Sequence, residues 1–120
     1  MPTVSVTALA APDDVVAATL AAVVADLADA LGCETRGVWA HFIPASAQHV
    51  GERPSTPDRQ CPVVVIRGQS RSDESIGAGL GAAAQAVSHG LGVPPEDVWV
   101  HWVEVAPGRA HVGGALLGPD

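Results

Sequence analysis

Residue 2 of this chain is a proline directly after the initiator methionine. A small second residue favours removal of that methionine, so the mature chain is expected to begin at Pro2. An N-terminal proline is a secondary amine, whereas every other proline nitrogen is a tertiary amide and cannot act as a base. An ordinary α-amino group titrates near ~8. Desolvation in an apolar pocket disfavours its charged form and lowers that value towards neutrality. A base poised near ambient pH is what general acid–base catalysis requires. Arg71 is the second residue of interest. A guanidinium can hold a carboxylate through paired N–H donors. The plainer alternatives are a proline that only favours methionine removal and a surface arginine paired with Asp73 or Glu74.

Positioning these groups is the task of a repeat with a period of sixty residues. Pro2 matches Pro62, Val4 and Val6 match Val64 and Ile66, and Asp13 matches Asp73. Leu31-Gly32 matches Leu91-Gly92, and Val38-Trp39-x-His41 matches Val98-Trp99-x-His101. A looser echo pairs His49-Val50-Gly51 with His111-Val112-Gly113 at an offset of 62. A shared offset across several short motifs marks an internal duplication. The expected organisation is one domain over residues 1–120, with units at 2–50 and 61–120 and a polar linker at 51–60.

Each unit reads strand, helix, strand. Residues 3–8 alternate and are rich in β-branched side chains. Residues 13–31 carry Val15, Val16, Leu20, Val23, Val24, Leu27 and Leu31 at helical spacing, with Gly32 as the stop. A second strand is expected at 37–43, ended by Pro44. In the second unit the strands are expected at 62–67 and 97–105. Its helix is expected at 72–91 behind a Ser72 cap. Gly77 and Gly79 weaken that helix by roughly 1 kcal/mol each relative to alanine. The predicted fold class is α/β (α+β): two fused β-α-β units giving a four-stranded sheet with two helices on one face. Val98, Val100 and Trp102 alternate with Trp99, His101 and Val103, so both sheet faces are apolar. Helices cover only one of them. The other is expected to be buried by oligomerisation.

Composition narrows the partners. Six arginines and no lysine stand against thirteen acidic residues, for a net charge of −7. That balance argues against nucleic acid, which demands a basic footprint. It also makes an arginine in a pocket a local exception. No window approaches the ~18 apolar residues of a membrane span, and no basic-then-apolar leader is present. Cys33 and Cys61 lack metal-ligand spacing and read as free thiols of a reducing, cytoplasmic compartment. His49 and His89 have no ligand-spaced partners, so neither a metal nor another cofactor is expected. Arg67 is balanced between a second carboxylate clamp and a solvated strand end. Arg109 and His111 lie in a glycine-rich C-terminal loop that could reach a site. Trp39 and Trp99 suit a core or interface, or the wall of a pocket that desolvates Pro2.

The chain resembles the tautomerase superfamily, whose members place β-α-β units behind an N-terminal proline. Arg71-Ser72-Asp73-Glu74 resembles the matching run of 4-oxalocrotonate tautomerase, and Gly113-Gly114 resembles its C-terminal hairpin. Val98-Trp99-Val100-His101-Trp102-Val103-Glu104 is similar to a strand of cis-3-chloroacrylic acid dehalogenase. The resemblance implies catalysis by Pro2 and Arg71 on a small anionic carboxylate, without cofactor, in a homotrimer. The activity it implies is a tautomerase or isomerase acting on a 2-oxo or enol carboxylate. The alternatives are Pro2-dependent hydration, dehalogenation or decarboxylation of a three-carbon acid, and a non-catalytic trimeric binding module. Departures are specific. Gly68 and Gln69 stand where the dehalogenase and decarboxylase groups have an arginine, with Arg67 just before. His101 stands where the dehalogenase has a tyrosine. Pro107–Gly114 contains no counterpart of its water-activating glutamate, and His111 lies nearest.

Overall fold

The computed structural model describes residues 1–118, so Pro119 and Asp120 of the second unit lie outside the described residues. The first unit contains β1 (Thr3–Leu9), α1 (Asp13–Leu31) and β2 (Trp39–Ala45), followed by the short strands β3 (His49–Val50) and β4 (Arg53–Pro54). The second contains β5 (Val63–Gly68), α2 (Asp73–Leu91) and β6 (Trp99–Glu104), then β7 (His111–Val112) and β8 (Ala115–Leu116). The four long strands form one mixed sheet in the order β2-β1-β5-β6. Within each unit the strands run parallel, as a helical crossover requires.

The two units meet through antiparallel pairing of β1 with β5, in which Ser5 opposes Val65. These two residues are sixty apart, which is the repeat period, so the duplication becomes an approximate two-fold axis through the sheet centre. Local details repeat across that axis. Trp39 N–H donates to the Pro2 carbonyl at 3.1 Å, and Trp99 N–H to the Pro62 carbonyl at 2.9 Å. Both helices end on a left-handed glycine, Gly32 and Gly92, as their sequence positions indicate. Ser72 caps α2 by accepting from Ser75 N–H at 3.1 Å.

Two expectations shift in detail. A 3-10 turn over Thr35–Gly37 delays the second strand to Trp39. That strand also runs through Pro44, which is tolerated because β2 is a sheet edge. Residues 51–60 are not a plain linker. They hold β4 and a Thr56–Arg59 bridge, and buried Gln60 accepts from Leu9 N–H at 2.8 Å.

Val4, Val6, Val64 and Ile66 are fully buried under α1 and α2, with Val23, Leu27, Ala83 and Val87 completing the core. Small residues let the helices approach closely. A Cβ built on Gly90 would lie 2.8 Å from Cβ and 2.9 Å from Cγ2 of buried Thr19. The helix-weakening glycines therefore separate by environment. Gly77 has open space around it, while Gly79 is buried against Leu27 and Leu31. Gly90→Ala should destabilise the fold by about 1–2 kcal/mol. The propensity gain of about 1 kcal/mol is outweighed by overpacking of about 1–3 kcal/mol against a stiff β-branched neighbour. Gly77→Ala should stabilise by up to about 1 kcal/mol. Thermal melts of both variants check the opposite signs.

The other sheet face is uncovered within one chain. It presents Trp39, Ile43, Val63, Trp99 and Val103, with Trp99 64% exposed. Trp99 Nε1–H donates to His101 Nδ1 at 2.9 Å on this face. No helix among the described residues is long and apolar enough to cross a membrane.

Candidate active site at the Pro2 end of the sheet

Antiparallel pairing sets Thr3 opposite Arg67, so the start of β1 lies against the end of β5. Parallel pairing sets Thr3 beside Trp39, which brings the start of β2 to the same corner. The chain leaving β6 returns there too, since Val105 N–H donates to the Gly68 carbonyl at 2.7 Å. These ends enclose a cavity of about 270 Å³. Pro2, which is buried, forms part of its wall, together with Trp39, Val105, Val112 and Leu117. Arg67, Arg109 and His111 supply the cationic and titratable groups, and no carboxylate of the described residues lines the space.

The charge pattern is the reverse of the whole molecule. Two of only six arginines meet at one cavity in a chain of net charge −7. Among the described residues neither has an ion-pair partner. The single ion pair there is Arg36 with Glu34. Arg67 makes only a long 3.5 Å contact to Ser5 Oγ. Two unpaired guanidiniums beside an apolar wall can hold an anion and discriminate against cations. Gly68 contributes through its lack of a side chain. A Cβ there would lie 2.6 Å from Cζ2 of Trp102, so the indole packs directly on the strand end that carries Arg67.

Met1 also lines the cavity, with Cγ 3.8 Å from where a Cβ on Gly37 would sit. While Met1 is attached, the Pro2 nitrogen is an amide. Its removal would both create the amine and free space at the mouth.

Of the residues singled out from sequence, the structure brings Pro2, Arg67, Arg109 and His111 together. Arg71 is not in the cavity. Its Nη1 donates to the Leu31 carbonyl at 3.0 Å, closing the C-terminal end of α1, whose last turn has no basic residue of its own. Trp99 and His101 lie on the uncovered sheet face, bonded to each other, and do not line the cavity. Trp39 does line it, and the strand alternation that matches Trp39 with Trp99 could not show which would. Among the described residues no three His, Cys, Asp or Glu side chains cluster as metal ligands.

The first unit shows what the cavity would be without its chemistry. Repeat positions replace Arg67 by Thr7, Arg109 by Ala47 and Ala110 by Gln48. Gln48 grips the backbone before Pro62. Its Oε1 accepts from Cys61 N–H at 2.9 Å and Ser55 Oγ–H at 2.7 Å, while Nε2 donates to the Cys61 carbonyl at 2.6 Å. The duplicated corner is thus stapled by a glutamine and lacks both arginines.

No protein-family model matches the chain, and no curated protein matches it in sequence. Solved structures do match it. A native fused 4-OT is 22% identical, with a TM-score of 0.84 over 96% of this chain and 95% of that one. A wild-type fused 4-OT described as an asymmetric trimer is 16% identical, with a TM-score of 0.85 over 96% and 95%. A member of the cis-3-chloroacrylic acid dehalogenase family is 21% identical, with a TM-score of 0.79 over 98% and 84%. With its four-stranded mixed sheet and paired helices, the chain has the fold of these fused 4-OT structures.

Proposed function

We propose that this chain is a tautomerase-type isomerase in which Pro2, freed by loss of Met1, acts as general acid and base on a small 2-oxo or enol carboxylate. The observation that supports this most is the composition of one cavity. Buried Pro2, an apolar wall and two guanidiniums share it, and among the described residues neither guanidinium has an ion-pair partner. Arg67 and Arg109 take over the carboxylate-holding role expected of Arg71, which is engaged at the end of α1. The neutral amine removes a proton from the carbon α to the carbonyl, or from the hydroxyl of an enol. The guanidiniums stabilise the enolate, and the resulting ammonium delivers the proton to carbon. The apolar wall excludes water that would otherwise stabilise the charged amine.

The decisive assay follows ketonisation of phenylenolpyruvate or 2-hydroxymuconate, after intact-mass measurement establishes that Met1 is absent. A processed protein with no rate above background on either enol would refute the proposal.

The assembly we propose is a homotrimer that buries the face bearing Trp39, Ile43, Val63, Trp99 and Val103. Contiguous apolar surface of this kind marks an interface. The fused 4-OT named above as an asymmetric trimer has the same fold. Light scattering should give close to three times the 12.1 kDa of one chain. A monodisperse monomer would refute the trimer.

A further inference from the structure

Residues 106–118 carry Arg109, Ala110, His111, Val112 and Leu117 to the cavity wall. Most of their hydrogen bonds are internal. Gly108 N–H donates to the Leu117 carbonyl, Leu117 N–H to the Ala110 carbonyl, and among the described residues β7 pairs only with β8. That ribbon stands outside the four-stranded sheet, and an isolated two-stranded ribbon is marginal in water. The main sheet lets go of the chain at Val105. Beyond that point, among the described residues, one hydrogen bond joins the segment to the body. Gln69 Nε2 donates to the Gly118 carbonyl at 2.7 Å, across 49 residues of sequence.

Gln69 lies two residues beyond Arg67, at the turn that ends β5. One turn therefore presents Arg67 from one wall and buckles the strap that presents Arg109 and His111 from the other. Its counterpart in the first unit is Leu9, whose side chain has no donor.

We propose that Gln69 is a positioning residue: its bond to Gly118 sets the spacing of Arg109 from Arg67, and with it the affinity of the cavity for a carboxylate. The proposal rests on the reading of those two arginines as the anion clamp. It acts on the strap alone, so its loss leaves the proton-transferring amine in place.

The variant is Gln69→Met, which keeps the side-chain volume and removes the donor. The Michaelis constant for phenylenolpyruvate should rise threefold to tenfold, the effect of one net hydrogen bond, with kcat within twofold and the melting temperature unchanged. In an Arg109→Ala background the same change should alter KM less than twofold, because its effect passes through Arg109. Hydrogen exchange at the Gly108 and Leu117 amides should quicken by a similar threefold to tenfold, while the four-stranded sheet stays protected. Equal KM effects in both backgrounds, or unchanged exchange in the strap, would overturn the proposal. If the wild-type protein turned over no enol, the functional reading would fail. The exchange measurement would still decide whether Gln69 holds the strap.

Discussion

Pro2→Ala should lower kcat/KM for enol ketonisation by about 100-fold, at the lower end of the 10²–10⁴ range for a positioned acid–base group. Alanine is also a small second residue, so Met1 would still be removed and the amine would still be terminal. What changes is the base itself. A secondary amine held in the pyrrolidine ring becomes a primary amine free to rotate, and its position relative to the substrate carbon is no longer set. The apolar wall made by Trp39, Val105 and Val112 remains. Substrate affinity, carried by the arginines, should change little, so the loss should appear in kcat. The wild-type rate should rise with pH as Pro2 gives up its proton. Initial rates across pH for both proteins check this. An alanine variant within threefold of wild type would remove Pro2 from the mechanism.

Much of the fold could be read from spacing. The apolar series from Val15 to Leu31 and the stop at Gly32 define α1, whose bounds are those expected. The repeat period foretells the two-fold symmetry, although not the antiparallel join at Ser5 and Val65 that creates it. Strand alternation foretells an uncovered apolar face, and five large apolar side chains of the sheet stand exposed on it. Where the reading fell short, long-range polar contacts decided. Arg71 follows a strand beside that of Pro2, yet its side chain turns to the orphan carbonyl of Leu31 on another element. Nothing in the local sequence marks that carbonyl as its partner. Arg67 and Arg109 are 42 positions apart in the chain, and only closure of the C-terminal strap makes them neighbours of one cavity. Gln48 reads as an unremarkable polar residue, and Gln69 only as a departure from a family arginine, until their partners, Cys61 and Gly118, come within reach.

The double substitution Arg67→Ala, Arg109→Ala is the sharpest test of the anion clamp, and its expected effect is again about 100-fold on kcat/KM. A hydrogen bond to a charged group contributes about 1.5–3 kcal/mol, or roughly 10–100-fold. Arg67 and Arg109 are both exposed, so solvent screening places each near the lower figure. Each single variant should therefore lose about tenfold. Where the loss appears distinguishes two roles. An arginine that holds the carboxylate equally in ground and transition states raises KM alone, whereas one that meets the developing enolate oxygen lowers kcat. Arg67 sits on the strand end that pairs with the start of β1, and should show the kcat effect. Arg109, carried on the strap, should show the KM effect. Lysine at either position keeps the charge but loses the paired donors, so it should recover only part of the loss. Because the chain is already acidic, all variants must be compared at one ionic strength, or the weakened attraction for an anionic substrate would mimic a lost contact. Two arginine variants with wild-type kcat and KM would show that the cavity does not bind the carboxylate. The chemistry would then have to be sought at another end of the sheet.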